Sequence, residues 1–398
     1  MKRMFSARTP LALTAVIYYL LQVSAAGVFG QKLSTADPTQ TAVALEQQGR
    51  IIEAEAVWKT VMKLHPKISD SYAHIGFLEA RQEHYTEAVP YYRKALALNP
   101  AMPGLRMNLG LAFFKAGQLK DAVSTFALLL KSEPPASPEA QRLTTLIGLA
   151  NYGLGEYDRA IPYLRKAAGY DPQSLPLRLA LAHSCLGSKQ YQCVLDTYKE
   201  ILILNAESAE ADMLAGEAMD AMQDHAGAIQ QFRSAVKANP NEPNAHFGLG
   251  YLLWTQNQYP EAAQEFEAEL TNDPDSAQAM AYLADSEIRM SQPDKALPLL
   301  QNATRISPAM ELPHLDLGIL HADAGHREEA LAEFNIAAKL SPDDFAVHYR
   351  LARLLKSMGR QQSAAVEFEK TNSLHQTASK SVRDQIRAKI ATEASKSQ

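Results

Sequence analysis

The chain has 398 residues, 46% hydrophobic and 21% charged, too apolar for a disordered chain and too broken by charge for a bundle of membrane spans. Thirty-nine Lys and Arg stand against 44 Asp and Glu, a net charge of −5 that argues against a nucleic-acid binder, and two cysteines exclude a disulfide scaffold and a zinc ribbon. The length exceeds one ordinary core and leaves two or three domains, or one extended repeat array.

The first element in chain order is an export signal or an anchor. Met1 to Arg8 is a short basic segment, Leu11 to Leu21 is an uncharged apolar run, and small residues follow at Ser24, Ala25 and Ala26. That order reads as a secretory signal peptide over 1–30, with cleavage after Ala25, Ala26 or Gly30. The competing reading is an uncleaved membrane anchor, since Pro10 to Gly30 carries no charge and is long enough to span a bilayer. Either reading places the rest of the chain outside the cytoplasm, periplasmic or secreted, or on a membrane facing that space.

From residue 35 a period of 34 residues takes over. Pro66, Pro100 and Pro134 share it, and so do Pro240, Pro274, Pro308 and Pro342; the two series are offset by a four-residue insertion near Pro135 to Pro138. Ten units result, starting at residues 35, 69, 103, 141, 175, 209, 243, 277, 311 and 345. Position 8 of every unit is Gly or Ala, from Ala42, Gly76 and Gly110 through Gly318 and Ala352. Position 20 is Ala except for Val194, and position 24 is aromatic or Leu, as in Trp58, Tyr92, Phe126, Leu164 and Phe232. Positions 4, 7, 8 and 11 fall on one helical face, as do 20, 24 and 27. Each unit is therefore expected to be two short amphipathic helices. Gly at position 15 (Gly49, Gly117, Gly155, Gly325, Gly359) ends the first helix, and Pro at 32 stops the second. Small residues at 8 and 20 let the helices approach closely, and the side chain at 24 fills the remaining space.

These columns resemble the tetratricopeptide repeat family from residue 35 to about 378, with Ala at position 27 in Ala95, Ala167, Ala235, Ala303 and Ala337. The family usually has Trp at position 4, where this chain has Arg106, Asp212, His246 and others. The resemblance implies an all-α fold, a right-handed superhelical solenoid of about ten helix-turn-helix repeats over 35–376. One such unit cannot bury its own apolar face, so neighbours must stack. Residues 377–398, with Val382, Ile386 and Ile390, are expected to form a capping helix and polar tail.

No catalytic constellation stands out, so no enzyme activity, cofactor or metal is expected. Gly248-x-Gly250 echoes a phosphate loop, but no strand precedes it and position 250 is the small packing site. His314 and His321 occupy positions 4 and 11, the packing face, and are expected to pack or hydrogen-bond. Asn302-Ala303-Thr304 matches a glycosylation acceptor but lies on a helix at buried position 27. Cys185 and Cys193 flank a turn on opposite helices of the fifth unit. A disulfide and two free, partly buried thiols both remain open.

The resemblance also implies that the first helices line an inner groove. Their positions 2, 5, 9 and 12 carry an apolar stripe: Phe77, Leu111, Phe114, Leu149 and Tyr152, then Phe247, Tyr251, Trp254 and Ile288. Either the stripe takes an apolar partner peptide, or it packs between adjacent units. On the first reading Trp254→Ala weakens binding with little loss of stability. The ends differ in charge, with Glu210, Glu217 and Asp220 in the sixth unit and Arg350, Arg353 and Lys356 in the tenth. The basic trio can grip a carboxylate or acidic segment, or serve as a solubilising cap. Chaperone-binding relatives need Asn at position 9, where this chain has Phe77, Leu111 and Leu149; the asparagine ladder of sugar-transferring relatives at position 6 is reduced to Asn108. The expected function is an exported or membrane-anchored interaction scaffold for a protein or peptide partner. The alternative is an accessory subunit of an envelope assembly or a polysaccharide or protein export complex.

Overall fold

The computed structural model describes residues 37–377. The signal or anchor over 1–30 and nearly all of the expected cap over 377–398 lie outside them. Every described element is a helix, and the helices follow one another as ten helix-turn-helix repeats. In the first five repeats these are α1 (Pro38–Gln47) and α2 (Ile51–Leu64), α3 (Ser69–Arg81) and α4 (Tyr85–Leu98), α5 (Leu105–Lys115) and α6 (Leu119–Leu130), α7 (Pro138–Gly153) and α8 (Tyr157–Tyr170), and α9 (Leu175–Gly187) and α10 (Tyr191–Leu204). The sixth repeat is α11 (Ala209–Ala221) and α12 (His225–Ala238), followed by α13 (Ala245–Thr255) and α14 (Tyr259–Asn272), α15 (Ala277–Arg289) and α16 (Pro293–Ile306), α17 (Glu311–Asp323) and α18 (Arg327–Leu340), and α19 (Phe345–Ser357) with α20 over 361–377. The chain divides into two compact units at Asp224, the first ending after α11 and the second starting with α12.

Every hairpin closes through a three-residue turn whose middle residue is position 15. That residue is left-handed in all ten repeats. Five are the glycines expected there, and five are Glu83, Lys189, Gln223, Asn257 and Ser291, with φ between 58° and 68°. A left-handed backbone costs an L-residue about 1–2 kcal/mol, so these five repeats tolerate strain that the turn requires. At Gly155, φ is 72° and an added Cβ would meet nothing within 4 Å. Gly155→Ala is therefore expected to cost about 1 kcal/mol through backbone strain alone. An unchanged urea midpoint for Gly155→Ala would show that the turn can relax out of the left-handed region.

The small residue at position 8 does what its column implies. A Cβ on Gly110 would sit 2.5 Å from Phe126, one on Gly250 2.8 Å from Phe266, and one on Gly318 2.5 Å from Phe334. The position-24 ring fills the hollow left by the missing side chain. The four-residue insertion goes into the loop before α7 and an extra turn at its start, where the Ser137 hydroxyl accepts from the Ala140 N–H and Pro138 occupies the first turn.

At position 4, in place of the family's Trp, several repeats carry a polar bridge. The Tyr72 hydroxyl donates to the Pro66 carbonyl at 3.2 Å, and the Arg106 guanidinium reaches the Pro100 carbonyl at 3.5 Å. In the second unit, His314 Nε2 lies 3.2 Å from the Pro308 carbonyl and His348 Nε2 3.0 Å from that of Pro342. The other ring nitrogen spans the hairpin: Nδ1 of His246, His314 and His348 lies 2.6 Å from Glu265, Glu333 and Glu367 respectively. In His314 and His348 each ring nitrogen faces an oxygen, one of a carboxylate and one of a carbonyl. The side chain thus ties the second helix, the first helix and the preceding inter-repeat turn together.

Cys185 and Cys193 form a disulfide across the α9–α10 turn, with their Cα atoms 5.7 Å apart. The chain reverses tightly enough there to bring the two backbones within bonding reach.

Second helices pack on the first helix of the next repeat. First helices also meet directly, α3 with α5, α7 with α9 and α9 with α11 in the first unit, and α13 with α15 and α15 with α17 in the second. These contacts join first helices of neighbouring repeats within each unit. This first-helix layer is where the expected groove residues sit.

Candidate functional site

The second unit carries the densest chemistry on its first-helix layer. The start of α13 is held by Glu269 of α14. Its carboxylate accepts from the Asn244 N–H at 3.2 Å and the Phe247 N–H at 3.0 Å, two donors that the helix itself leaves unpaired. Burial lifts the Glu269 carboxyl above its ordinary range, against the pull of those two N–H groups.

The clamp fixes the orientation of α13 and its three aromatic side chains. Phe247 is only 2% exposed, with its ring 5.8 Å from both Phe266 and Tyr282. Tyr251 and Trp254 are half-buried and pack edge-on against Tyr282 at 5.4 and 5.1 Å. Tyr282 of α15 is thus the centre of the cluster, and burial raises its phenol well above the usual range.

Behind the rings lie carboxyls. The Trp254 indole N–H donates to Asp285 Oδ2 at 2.6 Å, and Arg289 Nε donates to Asp285 Oδ1 at 3.3 Å. Asp285 is buried but fully engaged. Asp316 of α17 is 2% exposed, and its Oδ2 has no hydrogen-bond partner. Burial, followed by the charge on Asp285, pushes the Asp316 carboxyl well above the ordinary range, with Arg289 and Arg350 pulling weakly the other way. Glu311, at the start of α17, also has a buried oxygen without a partner, Oε1. Burial and then the charge of Asp344 push its carboxyl up to about 7, with His314 opposing. A buried acceptor left unpaired costs about 1–3 kcal/mol, so these two oxygens are ready to take donors.

The expected groove residues therefore divide. Phe247, Leu149 at 2% exposure and Phe114 at 6% are core residues, which corrects their assignment to a binding surface. The Phe247 ring meets Phe266 and Tyr282, and the Phe114 ring meets Phe126. Tyr251, Trp254, Ile288, Leu111 and Tyr152 are half-buried, and Phe77 is 36% exposed beneath the Arg81 guanidinium. Arg350, Arg353 and Lys356 are exposed on α19. Arg353 lies over the Tyr349 ring, and Arg350 reaches electrostatically toward Asp316. The basic end and the aromatic cluster thus belong to one neighbourhood. Tyr282, Asp285, Glu311 and Asp316 were missed because they fall outside the stripe of positions followed in the sequence, or because they are polar there. A run of carboxyls at otherwise apolar inner positions was the available signal.

In the first unit the corresponding layer holds a smaller polar group. His183 Nε2 lies 2.7 Å from Glu210, and the His183 ring packs 6.2 Å from Tyr152. Burial, and secondarily Asp220, pushes the Glu217 carboxyl up to about 7.

Two family models, both described as tetratricopeptide repeat, match the chain. One covers residues 40–103, 195–243 and 213–277, and the other 79–147, 152–218 and 287–354. Among curated relatives, the BBSome complex member BBS4 of Bos taurus is 24% identical over 295 residues, covering 74% of this chain and 56% of that protein. Anaphase-promoting complex subunit 3 of Schizosaccharomyces pombe is 20% identical over 272 residues, covering 67% of this chain and 39% of that protein. The chain thus spans about half or less of the length of these relatives. Among solved structures, a tetratricopeptide repeat protein from Parabacteroides merdae ATCC 43184 aligns at a TM-score of 0.48 with 19% identity, over 63% of this chain and 97% of that one. The matched segments cover most of residues 40–354, and the chain belongs to the tetratricopeptide repeat family.

Proposed function

We propose that the chain is a non-catalytic interaction scaffold, exported or membrane-anchored through its N-terminal segment, that takes a segment of a partner protein on the first-helix layer of its second unit. Tetratricopeptide repeat proteins are in general protein-interaction scaffolds, which is the coarser part of this reading. The observation that carries the finer part is the strip of half-buried rings at Tyr251, Trp254 and Tyr282, in a unit that also holds two buried carboxyl oxygens without donors, on Asp316 and Glu311. Aromatic rings with one open face and unpaired acceptors in the same unit favour a peptide that supplies both apolar area and N–H groups. The Cys185–Cys193 disulfide supports the export part, because disulfides persist in oxidising compartments.

Two measurements test the reading. A photo-crosslinking residue in place of Tyr251 is expected to give a discrete adduct, and one in place of the exposed Gln264 on α14 is not. Equal labelling at the two positions would move the interface off the first helices. Residues 1–30 fused to an alkaline phosphatase lacking its own leader should yield active enzyme in a bacterial host. An inactive fusion retained in the cytoplasm would remove the export part and leave the scaffold part standing.

A further inference from the structure

We infer that Asp316 and Glu311 of α17, close to Tyr282 of α15, form a subsite for the guanidinium of an arginine in the partner segment. This rests on the first-helix reading above and names the side chain that the layer would recognise.

The argument starts from the two oxygens without donors. Asp316 is 2% exposed, its Oδ2 is unpartnered, and Glu311 Oε1 beside it is unpartnered as well. The chain's own guanidiniums do not fill the need. Arg289 is committed to Asp285 and lies 5.9 Å over the Tyr259 ring, while Arg350 stays exposed. A purely apolar ligand would leave both oxygens unpaired. A guanidinium carries five donors in a planar fork and stacks on aromatic faces, so one group can meet both the carboxyls and the Tyr282 ring.

The subsite should respond to pH. Glu311 is faced by Tyr282 of α15, by His314 and Asp316 of its own helix and by Asp344 at the start of α19, while Asp285, Arg289 and Arg350 face Asp316. With its carboxyl pushed up to about 7, Glu311 is largely protonated in the empty site at pH 6. A guanidinium favours the ionised carboxylate, so its binding releases protons and tightens as pH rises from 6 to 8.

The test selects random twelve-residue displayed peptides on the full chain at pH 8, with Asp316→Asn and Glu311→Gln as parallel baits. Peptides recovered on the wild type are then synthesised with arginine or with citrulline. Recovered peptides should carry arginine at a fixed place, citrulline should weaken binding about tenfold, and the preference should shrink at pH 6. Either variant should bind both forms alike. Asp316→Asn replaces a carboxyl that burial already disfavours as an ion, and Glu311 is partly exposed, so at least one variant should fold. Recovered peptides without arginine, or equal binding of arginine and citrulline forms, would overturn the subsite and leave the scaffold reading intact. Enrichment of acidic peptides would assign the site to Arg289 and Arg350 instead. Retention of no peptide by any bait would remove the first-helix reading together with the subsite.

Discussion

Phe126→Ala is expected to lower the stability of the third repeat by about 3–5 kcal/mol, the range for removing a fully buried aromatic ring. Phe126 is fully buried, and its ring occupies the space above Gly110, where a Cβ would approach Cε1 to 2.5 Å. The ring also packs 6.4 Å from Phe114, one of the residues drawn into the core. Gly110→Val should destabilise as well, by about 1–3 kcal/mol, because the ring has nowhere to go. The two changes address one volume, so Phe126→Ala in the Gly110→Val background should cost clearly less than in the wild type. Because repeats contact mainly their neighbours, the loss should appear first as faster hydrogen exchange in α4–α7 before the whole unit unfolds. A loss below about 1 kcal/mol, or full additivity of the two changes, would mean that the ring and the glycine do not share a wedge.

That wedge was legible in the sequence because positions 8, 20 and 24 repeat ten times, and only close helix packing keeps them small, small and large. The hairpin boundaries were legible for the same reason. Other features depend on what lies across a repeat boundary, and one helix's periodicity does not contain that. Phe247 and Leu149 occupy inner positions that look open within a single repeat, yet first helices of neighbouring repeats meet and bury them. His314 at position 4 was expected to pack or hydrogen-bond, with no partner named. The pairing of the position-4 histidines with Glu265, Glu333 and Glu367 is set by a helix 19 residues away and by a turn carbonyl on the other side. The left-handed Glu83 and Lys189 gave no glycine signal, although the turn length demands the same backbone there. The Cys185–Cys193 bond depended on how closely two helices approach at a turn, which residue spacing leaves open.

Trp254→Ala is expected to cost about 3 kcal/mol of stability, not to act as a silent loss of a surface ring. The sequence alone suggested a binding ring with little structural role. The indole instead donates to Asp285 at 2.6 Å and packs against Tyr251 and Tyr282. Removing it strips contacts from the cluster and leaves Asp285, 3% exposed, with Arg289 as its remaining donor. A buried carboxylate that loses one of two donors adds to the cost of the lost ring area. Trp254→Phe separates the two contributions. It keeps most of the ring and loses the N–H, so it should cost about 1–2 kcal/mol. It should also retain a stacking face for a partner, which makes it the better variant for binding studies. Urea unfolding of Trp254→Ala, Trp254→Phe and Asp285→Asn checks the scheme. Asp285→Asn can still accept from the indole through its amide oxygen, so it should cost less than Trp254→Ala. If Trp254→Ala unfolds at the wild-type midpoint, the indole is a free surface ring, and the carboxyl cluster behind it is held by Arg289 alone. If Trp254→Phe is as damaging as Trp254→Ala, the hydrogen bond to Asp285 dominates, and the aromatic strip owes its position to the buried acid rather than to ring packing.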